Sequence, residues 1–299
     1  LNLIMGEIKG IYAAAVSILN DDLSLDVNKT VKHCENIIND GCHGAVLFGS
    51  TGQSQLIPLN EKIEMINFVS KNDKIKDKLI IGTGLNSLVE NINFLKLSLN
   101  IGLNKFLIMP PAYYNYGDKE VIEYYTKLIK SVPDAKIILY NFEKLCGYKF
   151  SVECVENLAA RFPKNIIGVK DSSYNLMGNL NIKNFSILPG SELKLLSGLK
   201  KDCSGIITAT CNVTAKLARK VFDDFEQNKD QTVNDKLCEV RKAFDQFNLI
   251  SGLHSFLSLT DKQFLNILPT CSLLNKQDEK ILIDKLKDLD FLGKDFKAA

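Results

Sequence analysis

The chain has 299 residues, of which 45% are hydrophobic and 24% are charged, as expected of a globular protein with a large buried core. Its 37 basic and 35 acidic residues are scattered and leave a net charge of +2, so no basic block could follow a phosphate backbone and we expect no nucleic-acid partner. No stretch has the length of a membrane span, and the start, LNLIMGEIKG, lacks the pattern of a secretory signal, so we expect a cytoplasmic protein without a membrane partner.

Eight short apolar runs predict strands. They lie at 10–19, 44–48, 79–84, 105–109, 136–141, 166–170, 185–190 and 205–210. Amphipathic patterns predict helices between most of them, at 26–40, 59–71, 87–101, 118–131 and 151–162. The connection between the sixth and seventh strands is short for a helix. After residue 230 the pattern is entirely helical, with helices predicted at 231–248, 251–268 and 277–288.

Alternation of apolar strands and helices is typical of parallel strands covered by helices. Eight such units match the count of a closed (β/α)8 TIM barrel, whereas a doubly wound sheet usually stops at five or six strands. We therefore predict an α/β fold with two parts. A (β/α)8 barrel occupies residues 8–225 and carries the catalytic groups, and a C-terminal helical extension occupies residues 226–299.

Cysteine and histidine spacing gives no metal-binding pattern. The eight cysteines include no C-x-x-C pair and mostly lie in apolar patterns, so we expect them to be reduced and buried. The three histidines, His33, His43 and His254, show no H-E-x-x-H or similar spacing. We therefore predict no protein metal site and no catalysis that depends on histidine.

The stretch IIGVKDSS brings Lys170 to the end of an apolar strand, with Ser172 just beyond it. In a barrel of this kind, reactive groups gather at the carboxyl ends of the strands. A lysine there either extends to solvent or is held in an apolar environment that favours the neutral amine, which can attack a carbonyl.

Other predicted strand ends supply hydroxyl groups and phenols. GSTGQS places Ser50 and Thr51 between two glycines, in a turn that either holds a small anion or is an ordinary connection to the next helix. Tyr140 ends the fifth strand, and its phenol needs a polar partner if it is buried. Tyr114 lies in an aromatic loop after the fourth strand, a type of loop that often forms subunit contacts.

These groups together fit imine chemistry. A neutral amine beside an anion-binding turn could form an imine with a 2-oxo acid, and the iminium would allow a carbon–carbon bond to form or break at C3. A nearby tyrosine could carry the proton of the aldol hydroxyl. The covalent lysine–substrate imine would then serve in place of any separate cofactor.

Three motifs, GSTGQ, YN and GVKDSS, resemble in order and spacing those of the N-acetylneuraminate lyase and dihydrodipicolinate synthase superfamily of class I pyruvate-dependent aldolases. The resemblance covers the predicted barrel, and the helical extension also suits that family. It implies that Lys170 forms the Schiff base with pyruvate and that Tyr140 is the proton shuttle. It also implies that Ser50 and Thr51 hold the pyruvyl carboxylate.

The same resemblance extends to the assembly and to the eighth strand. It implies a homo-oligomer, a dimer or a tetramer, in which Tyr114 reaches into a neighbouring subunit's site. It further implies that the GIITA stretch lines the site around Ile207, and Thr208 at the same strand end is a further candidate for substrate binding.

Departures from the family pattern bear on the substrate. The synthases carry an arginine five residues after the shuttle tyrosine, where this chain has Leu145, and an apolar side chain cannot pair with a second carboxylate. A leucine at this position resembles the sequence of the sialic acid lyases. Those lyases also carry G-D-E after the seventh strand, where this chain has Gly190-Ser191-Glu192. Glu192 is therefore a candidate ligand for sugar hydroxyls. VKDSS is more similar to 2-keto-3-deoxy sugar-acid and 4-hydroxy-2-oxoglutarate aldolases.

Three functions follow from these patterns. The leading hypothesis is a pyruvate-type aldolase or lyase that cleaves or forms a 2-oxo-4-hydroxy acid, sugar-acid or sialic-acid-like, with pyruvate and a small aldehyde as the other reactants. The alternative is a 4-hydroxy-tetrahydrodipicolinate synthase that condenses pyruvate with aspartate semialdehyde. A basic residue that reaches the second carboxylate, for instance Lys144 or Lys149, would favour it. The third is a barrel that has lost its chemistry and serves in binding.

Overall fold

The computed structural model describes residues 6–292, and eight short parallel strands form its centre. These strands are β1 (Gly10–Ala14), β2 (Gly44–Leu47), β3 (Leu79–Gly82), β4 (Lys105–Ile108), β5 (Lys136–Asn141), β6 (Ile166–Asp171), β7 (Ser186–Pro189) and β8 (Gly205–Thr208). Their order in the sheet is β7-β6-β5-β4-β3-β2-β1-β8. Across the two ends of that order, the Ser204 N–H donates to the Ile187 carbonyl (2.9 Å). The sheet thus forms the predicted barrel.

Side chains that point inward fill the barrel with apolar groups. On β2, Val46 belongs to the interior cluster, whereas Ala45 and Leu47 pack outward against the helices. This alternation follows from the two-residue period of a strand. Two of the predicted site residues, Tyr140 on β5 and Ile207 on β8, lie in the interior cluster.

Helices surround the barrel, and five of them lie close to the five predicted positions. They are α1 (Val27–Asn39), α2 (Leu59–Val69), α3 (Leu88–Asn100), α4 (Asp118–Ser131), α5 (Glu143–Cys146), α6 (Val152–Arg161), α7 (Leu195–Leu199) and α8 (Cys211–Glu226). Serine side chains begin two of them: Ser87 accepts a hydrogen bond from the third N–H of α3, and Ser151 does the same for α6. Such caps satisfy N–H groups that the first turn of a helix leaves without partners.

A hydrogen-bonded loop replaces the helix between β6 and β7. The carboxylate of Asp171, fully buried at the end of β6, accepts backbone hydrogen bonds from Tyr174, Leu176 and Met177 (2.9, 3.0 and 2.9 Å). It also accepts one from the Asn141 side chain (2.9 Å). One carboxylate thus satisfies three backbone N–H groups of this connection, which contains no helix in the structure.

The C-terminal extension has three helices, α9 (Asn234–Asp245), α10 (Leu249–Leu257) and α11 (Lys276–Asp288). The helix predicted at 251–268 was too long, because α10 ends at Leu257 and only a short 3-10 turn, Lys262–Leu265, follows it. The predicted boundary at residue 225 falls at the end of α8. Residues 293–299 of the predicted extension lie outside the described residues.

The extension shares a hydrophobic core with the carboxyl end of the barrel. Val16 and Ile18, which follow β1, and Ala209, which follows β8, pack with Phe244 of α9 and Leu253 of α10. The extension therefore lies over the end of the barrel where the candidate catalytic groups were predicted.

Six of the eight cysteines are buried, which confirms the expectation that most of them are buried, and all eight are unpaired in the structure. Between residues 6 and 292, no helix combines the length and the apolar character that a membrane span requires. The same residues contain no group of three or more histidine, cysteine, aspartate or glutamate side chains that could hold a metal ion.

Candidate active site

Lys170 lies inside the barrel near the carboxyl end of β6, with only 3% of the residue exposed. On the neighbouring strand, Tyr140 is its direct register partner. The Lys170 Nζ lies 4.2 Å from the centroid of the Tyr140 ring. The amine therefore does not extend to solvent, and it contacts an aromatic face.

The phenol of Tyr140 reaches a hydroxyl from a third element. Its oxygen lies 3.0 Å from the Oγ of Ser50, in the loop after β2, and either atom can donate. Tyr140 is itself buried, whereas Ser50 is half-buried. The structure thus brings together an amine, a phenol and a hydroxyl that the sequence places 30 to 120 residues apart.

The β2 loop (residues 48–54) has a constrained backbone. Phe48 and Gln53 have φ values of 56° and 53°, in the left-handed region that favours glycine. Gly52 accommodates a close approach, since a Cβ there would lie 2.9 Å from the carbonyl oxygen of Ala15. The Gln53 N–H closes the turn by donating to the Ser50 carbonyl (3.0 Å). Thr51, inside the turn, is buried.

Ser172 and Gly190 meet where β6 and β7 end. A Cβ on Gly190 would lie 2.3 Å from the Ser172 Oγ, so only glycine leaves room for that hydroxyl. Ser172 follows Asp171 at the end of β6, and Gly190 follows Pro189 at the end of β7, so both lie at the strand ends next to Lys170. Ile207 is buried in the barrel interior with Tyr140.

Glu192 is engaged in a buried cluster of hydrogen bonds. Its Oε2 accepts from Arg241 (2.9 Å) and Thr208 (2.8 Å), and its Oε1 accepts from the hydroxyls of Thr210 and Thr214. Burial raises the pKa of Glu192, but the guanidinium and the hydroxyls outweigh this effect and hold that pKa below its usual value.

This geometry does not support the predicted substrate roles of Glu192 and Thr208. Both oxygens of the carboxylate are occupied, and the Thr208 hydroxyl donates to Glu192 and accepts from Arg241 (2.8 Å). A substrate hydroxyl would have to displace one of these partners. No sequence pattern indicates this cluster, because Arg241 lies on a helix of the extension, far along the chain from Glu192.

Tyr114 does not join the other candidates within this chain. It is 75% exposed and packs edge to face against Tyr113, with 5.1 Å between ring centroids. Its predicted contribution to a site in a neighbouring subunit stays a prediction.

A cavity of about 340 Å³ opens beside this group. Ser50 and Tyr140 contribute to its wall, and Lys170 lies against the Tyr140 ring without lining the cavity itself. The lining residues, all uncharged, are Phe48, Gly49, Ser50, Gln53, Ser54, Gln55, Leu56, Gly84, Leu107, Met109, Tyr140, Leu145, Ile250, Thr270 and Cys271. Around this cavity, the described residues therefore present hydroxyl, amide, thiol and apolar groups.

Leu145 stands at the sequence position where the synthases that the sequence resembles carry an arginine. It is 44% exposed and lines the cavity. Lys149 forms an ion pair with Glu143 (3.3 Å), and neither it nor the exposed Lys144 is among the residues described as lining the cavity. Within residues 6–292, the wall around Leu145 therefore contains no cationic side chain.

Comparisons with known proteins find relatives that match most of this chain. A family model described as the dihydrodipicolinate synthetase family matches residues 7–283. The chain is 29% identical to a 4-hydroxy-tetrahydrodipicolinate synthase of Hydrogenobaculum sp., over 82% of this chain and 86% of that protein. It is 28% identical to a 2-dehydro-3-deoxy-D-gluconate/2-dehydro-3-deoxy-phosphogluconate aldolase of Picrophilus torridus, over 70% of this chain and 79% of that protein.

A solved structure shows the same fold. YagE, a prophage protein belonging to the dihydrodipicolinic acid synthase family from E. coli K12, was solved in complex with pyruvate. It superposes with a TM-score of 0.86 at 20% identity, and the match covers 96% of this chain and 100% of that one.

Proposed function

Because the chain belongs to the dihydrodipicolinate synthetase family, whose members are lyases and aldolases, we propose that it is a class I pyruvate-type aldolase that acts through an imine on Lys170. One observation carries the proposal. A buried amine contacts the face of Tyr140, and the phenol of that tyrosine lies 3.0 Å from the hydroxyl of Ser50. The pyruvate bound in the YagE structure, which has the same fold, agrees with a pyruvate-type reaction.

The proposed reaction begins with a 2-oxo-4-hydroxy acid. The amine of Lys170 attacks the C2 carbonyl through its lone pair, and the hydroxide lost from the adduct leaves as water with the proton of the Tyr140 phenol, which gives an iminium ion and the Tyr140 phenolate. Tyr140, as the phenolate, takes the proton of the C4 hydroxyl while the C3–C4 bond breaks. The electron pair of the broken C3–C4 bond moves into the iminium to give an enamine, and the aldehyde leaves. Protonation at C3 and hydrolysis of the imine then release pyruvate and regenerate the amine; synthesis follows the reverse order.

Ser50 and Thr51 are proposed to hold the carboxylate of the 2-oxo acid. They lie in the tight β2 loop, and Ser50 contacts the same phenol that serves the amine. Because Ser50 is half-buried, its hydroxyl also provides a path for a proton between Tyr140 and the cavity. Ser172, Gly190 and Ile207 would shape the site around the pyruvyl group.

The aldehyde half is proposed to be small and uncharged, as in a sugar-derived substrate. All residues that line the cavity are uncharged, and Leu145 occupies the position at which a second carboxylate would need a cation. A synthase acting on aspartate semialdehyde is the second candidate. The similarity of this chain to the synthase of Hydrogenobaculum sp. favours it. The apolar Leu145 argues against it.

Tyr114 is proposed to complete the proton relay of a neighbouring subunit in a homodimer or homotetramer. Its high exposure within this chain leaves it available for such a contact.

Borohydride reduction tests the proposed imine directly. Pyruvate with borohydride should add mass permanently to the peptide that contains Lys170, and Lys170→Ala should lose both this adduct and all turnover. Lys62→Met is a matched control, because it removes another buried lysine and should leave the Lys170 adduct intact. An unmodified Lys170 peptide would refute the enzyme and leave a protein that only binds.

A further inference from the structure

We infer that the C-terminal extension supplies the part of the cavity wall that contacts the aldehyde. We also infer that Gln53 is a positioning residue that holds this part of the wall in place. This inference rests on the proposed function, since it concerns the second half of the same substrate. Three lining residues come from the extension: Ile250 on α10, and Thr270 and Cys271 in the segment that follows. We call residues 266–272 the wall segment.

Gln53 joins the β2 loop to the wall segment through both ends of its amide. Its Nε2 donates to the Leu268 carbonyl (2.9 Å), and its Oε1 accepts from the Leu268 N–H (3.1 Å). The side chain is 5% exposed. Buried amide hydrogen bonds of this kind are costly to lose, because each leaves an unsatisfied backbone group behind.

Two further contacts connect this amide pair to the site. On one side, the Gln53 N–H donates to the Ser50 carbonyl (3.0 Å), within the loop that carries the proposed carboxylate ligands. On the other side, the Leu268 carbonyl also accepts from the Cys271 N–H (3.0 Å). Three successive hydrogen bonds thus connect Ser50 to Cys271. They fix the position of the wall segment relative to the β2 loop.

The wall segment is also anchored away from Gln53. The Asn266 side chain donates to the Leu19 carbonyl (3.1 Å), in the loop after β1. At the other end, the Leu274 N–H donates to the Ser255 Oγ of α10 (2.9 Å). Fixed at both ends, the segment presents a hydroxyl and a thiol to the cavity, which suits an uncharged aldehyde of limited length.

Adding bulk to the wall tests its contact with the aldehyde. With pyruvate saturating, Cys271→Phe should raise the KM for glyceraldehyde and erythrose at least about tenfold more than that for glycolaldehyde, since a filled pocket discriminates by length. Leu265→Phe is the control, because it introduces the same aromatic ring at an exposed position that does not line the cavity. An equal change for all three aldehydes would overturn the inference.

Removing the Gln53 hydrogen bonds tests its positioning role. Gln53→Met keeps the length of the side chain, and it should raise the KM for the aldehyde by about tenfold or more while borohydride trapping of pyruvate on Lys170 keeps its half-saturation concentration. Gln53→Glu can still accept from the Leu268 N–H, but it sets an acceptor oxygen against the Leu268 carbonyl in place of the donor, so it should not restore the loss. An equal loss of pyruvate trapping in Gln53→Met would refute the role, whereas a wild type that traps no pyruvate would refute the proposed function instead.

Discussion

Tyr140 and Lys170 are register partners on two neighbouring parallel strands, and the amine of one lies 4.2 Å from the ring centroid of the other. Since both strands are fixed by backbone hydrogen bonds within the barrel, neither side chain depends on a mobile loop for its position. Rigid placement on strands holds reacting groups more precisely than placement on loops does. The Ser50 hydroxyl joins them from the β2 loop.

We predict that Tyr140→Phe separates imine formation from the carbon–carbon step. The variant keeps the ring that contacts Lys170 but loses the phenol, so pyruvate should still be trapped by borohydride. The rate of aldol cleavage should fall about a hundredfold or more, the usual contribution of a positioned acid–base group. Tyr125→Phe is the control, because that buried phenol donates to the Ile108 carbonyl outside the cavity. A Tyr140→Phe enzyme as fast as the wild type would assign the proton transfer to another group.

We predict that Leu145→Arg shifts the preference of the enzyme towards aldehydes that carry a carboxylate. The side chain lines the cavity, so a guanidinium there could form charge-assisted hydrogen bonds of about 1.5–3 kcal/mol, equivalent to roughly a ten- to hundredfold gain. The measurement is kcat/KM with aspartate semialdehyde relative to that with glyceraldehyde. Lys144→Arg, at an exposed neighbouring position, should leave the ratio unchanged. No shift in Leu145→Arg would show that the aldehyde lies elsewhere.

We predict that Lys62 makes the stability of the protein depend on pH in the alkaline range. This lysine of α2 is fully buried and donates to the Thr83 carbonyl (2.7 Å). Burial lowers its pKa from 10.5 to about 8. Between these two values the unfolded chain binds the proton more tightly than the folded protein, so the free energy of unfolding rises with pH.

The comparison of wild type with Lys62→Met isolates this effect. The wild type should gain up to about 3 kcal/mol relative to the variant as the pH rises from about 7 to about 10.5. Below about pH 8 the difference between the two proteins should stay constant, since both states of Lys62 are then protonated. Urea unfolding across this pH range measures the free energy of unfolding of both proteins. If the wild type and the variant differed by the same amount at every pH, the prediction would be contradicted.

We predict that Arg241→Met destabilises the protein by about 3–5 kcal/mol, because it leaves the Glu192 carboxylate buried without its cation. Adding Glu192→Gln should recover part of that loss by removing the unpaired charge. If Glu192 is structural, Glu192→Gln alone should leave the KM for the aldehyde unchanged in folded enzyme. A large increase in that KM would instead restore the substrate role expected from the sequence.

Local patterns were sufficient to predict the barrel and its group of central residues. Apolar runs of four to six residues that end in polar side chains mark parallel strands, and such strands all end at the same side of a barrel. The alternation of side chains then determines which residues point inward. For that reason Lys170, Tyr140 and Ser50 could be placed together before their contacts were known.

The tertiary structure decided what each polar group binds. Glu192 pairs with Arg241 of the extension, Gln53 holds Leu268, and Asp171 organises a loop where the barrel pattern would place a helix. These contacts join residues from different elements, and Tyr114 is too exposed to be assigned from one chain. Periodicity reports which face of an element is buried, but a hydrogen bond depends on which groups folding brings within about 3 Å of each other.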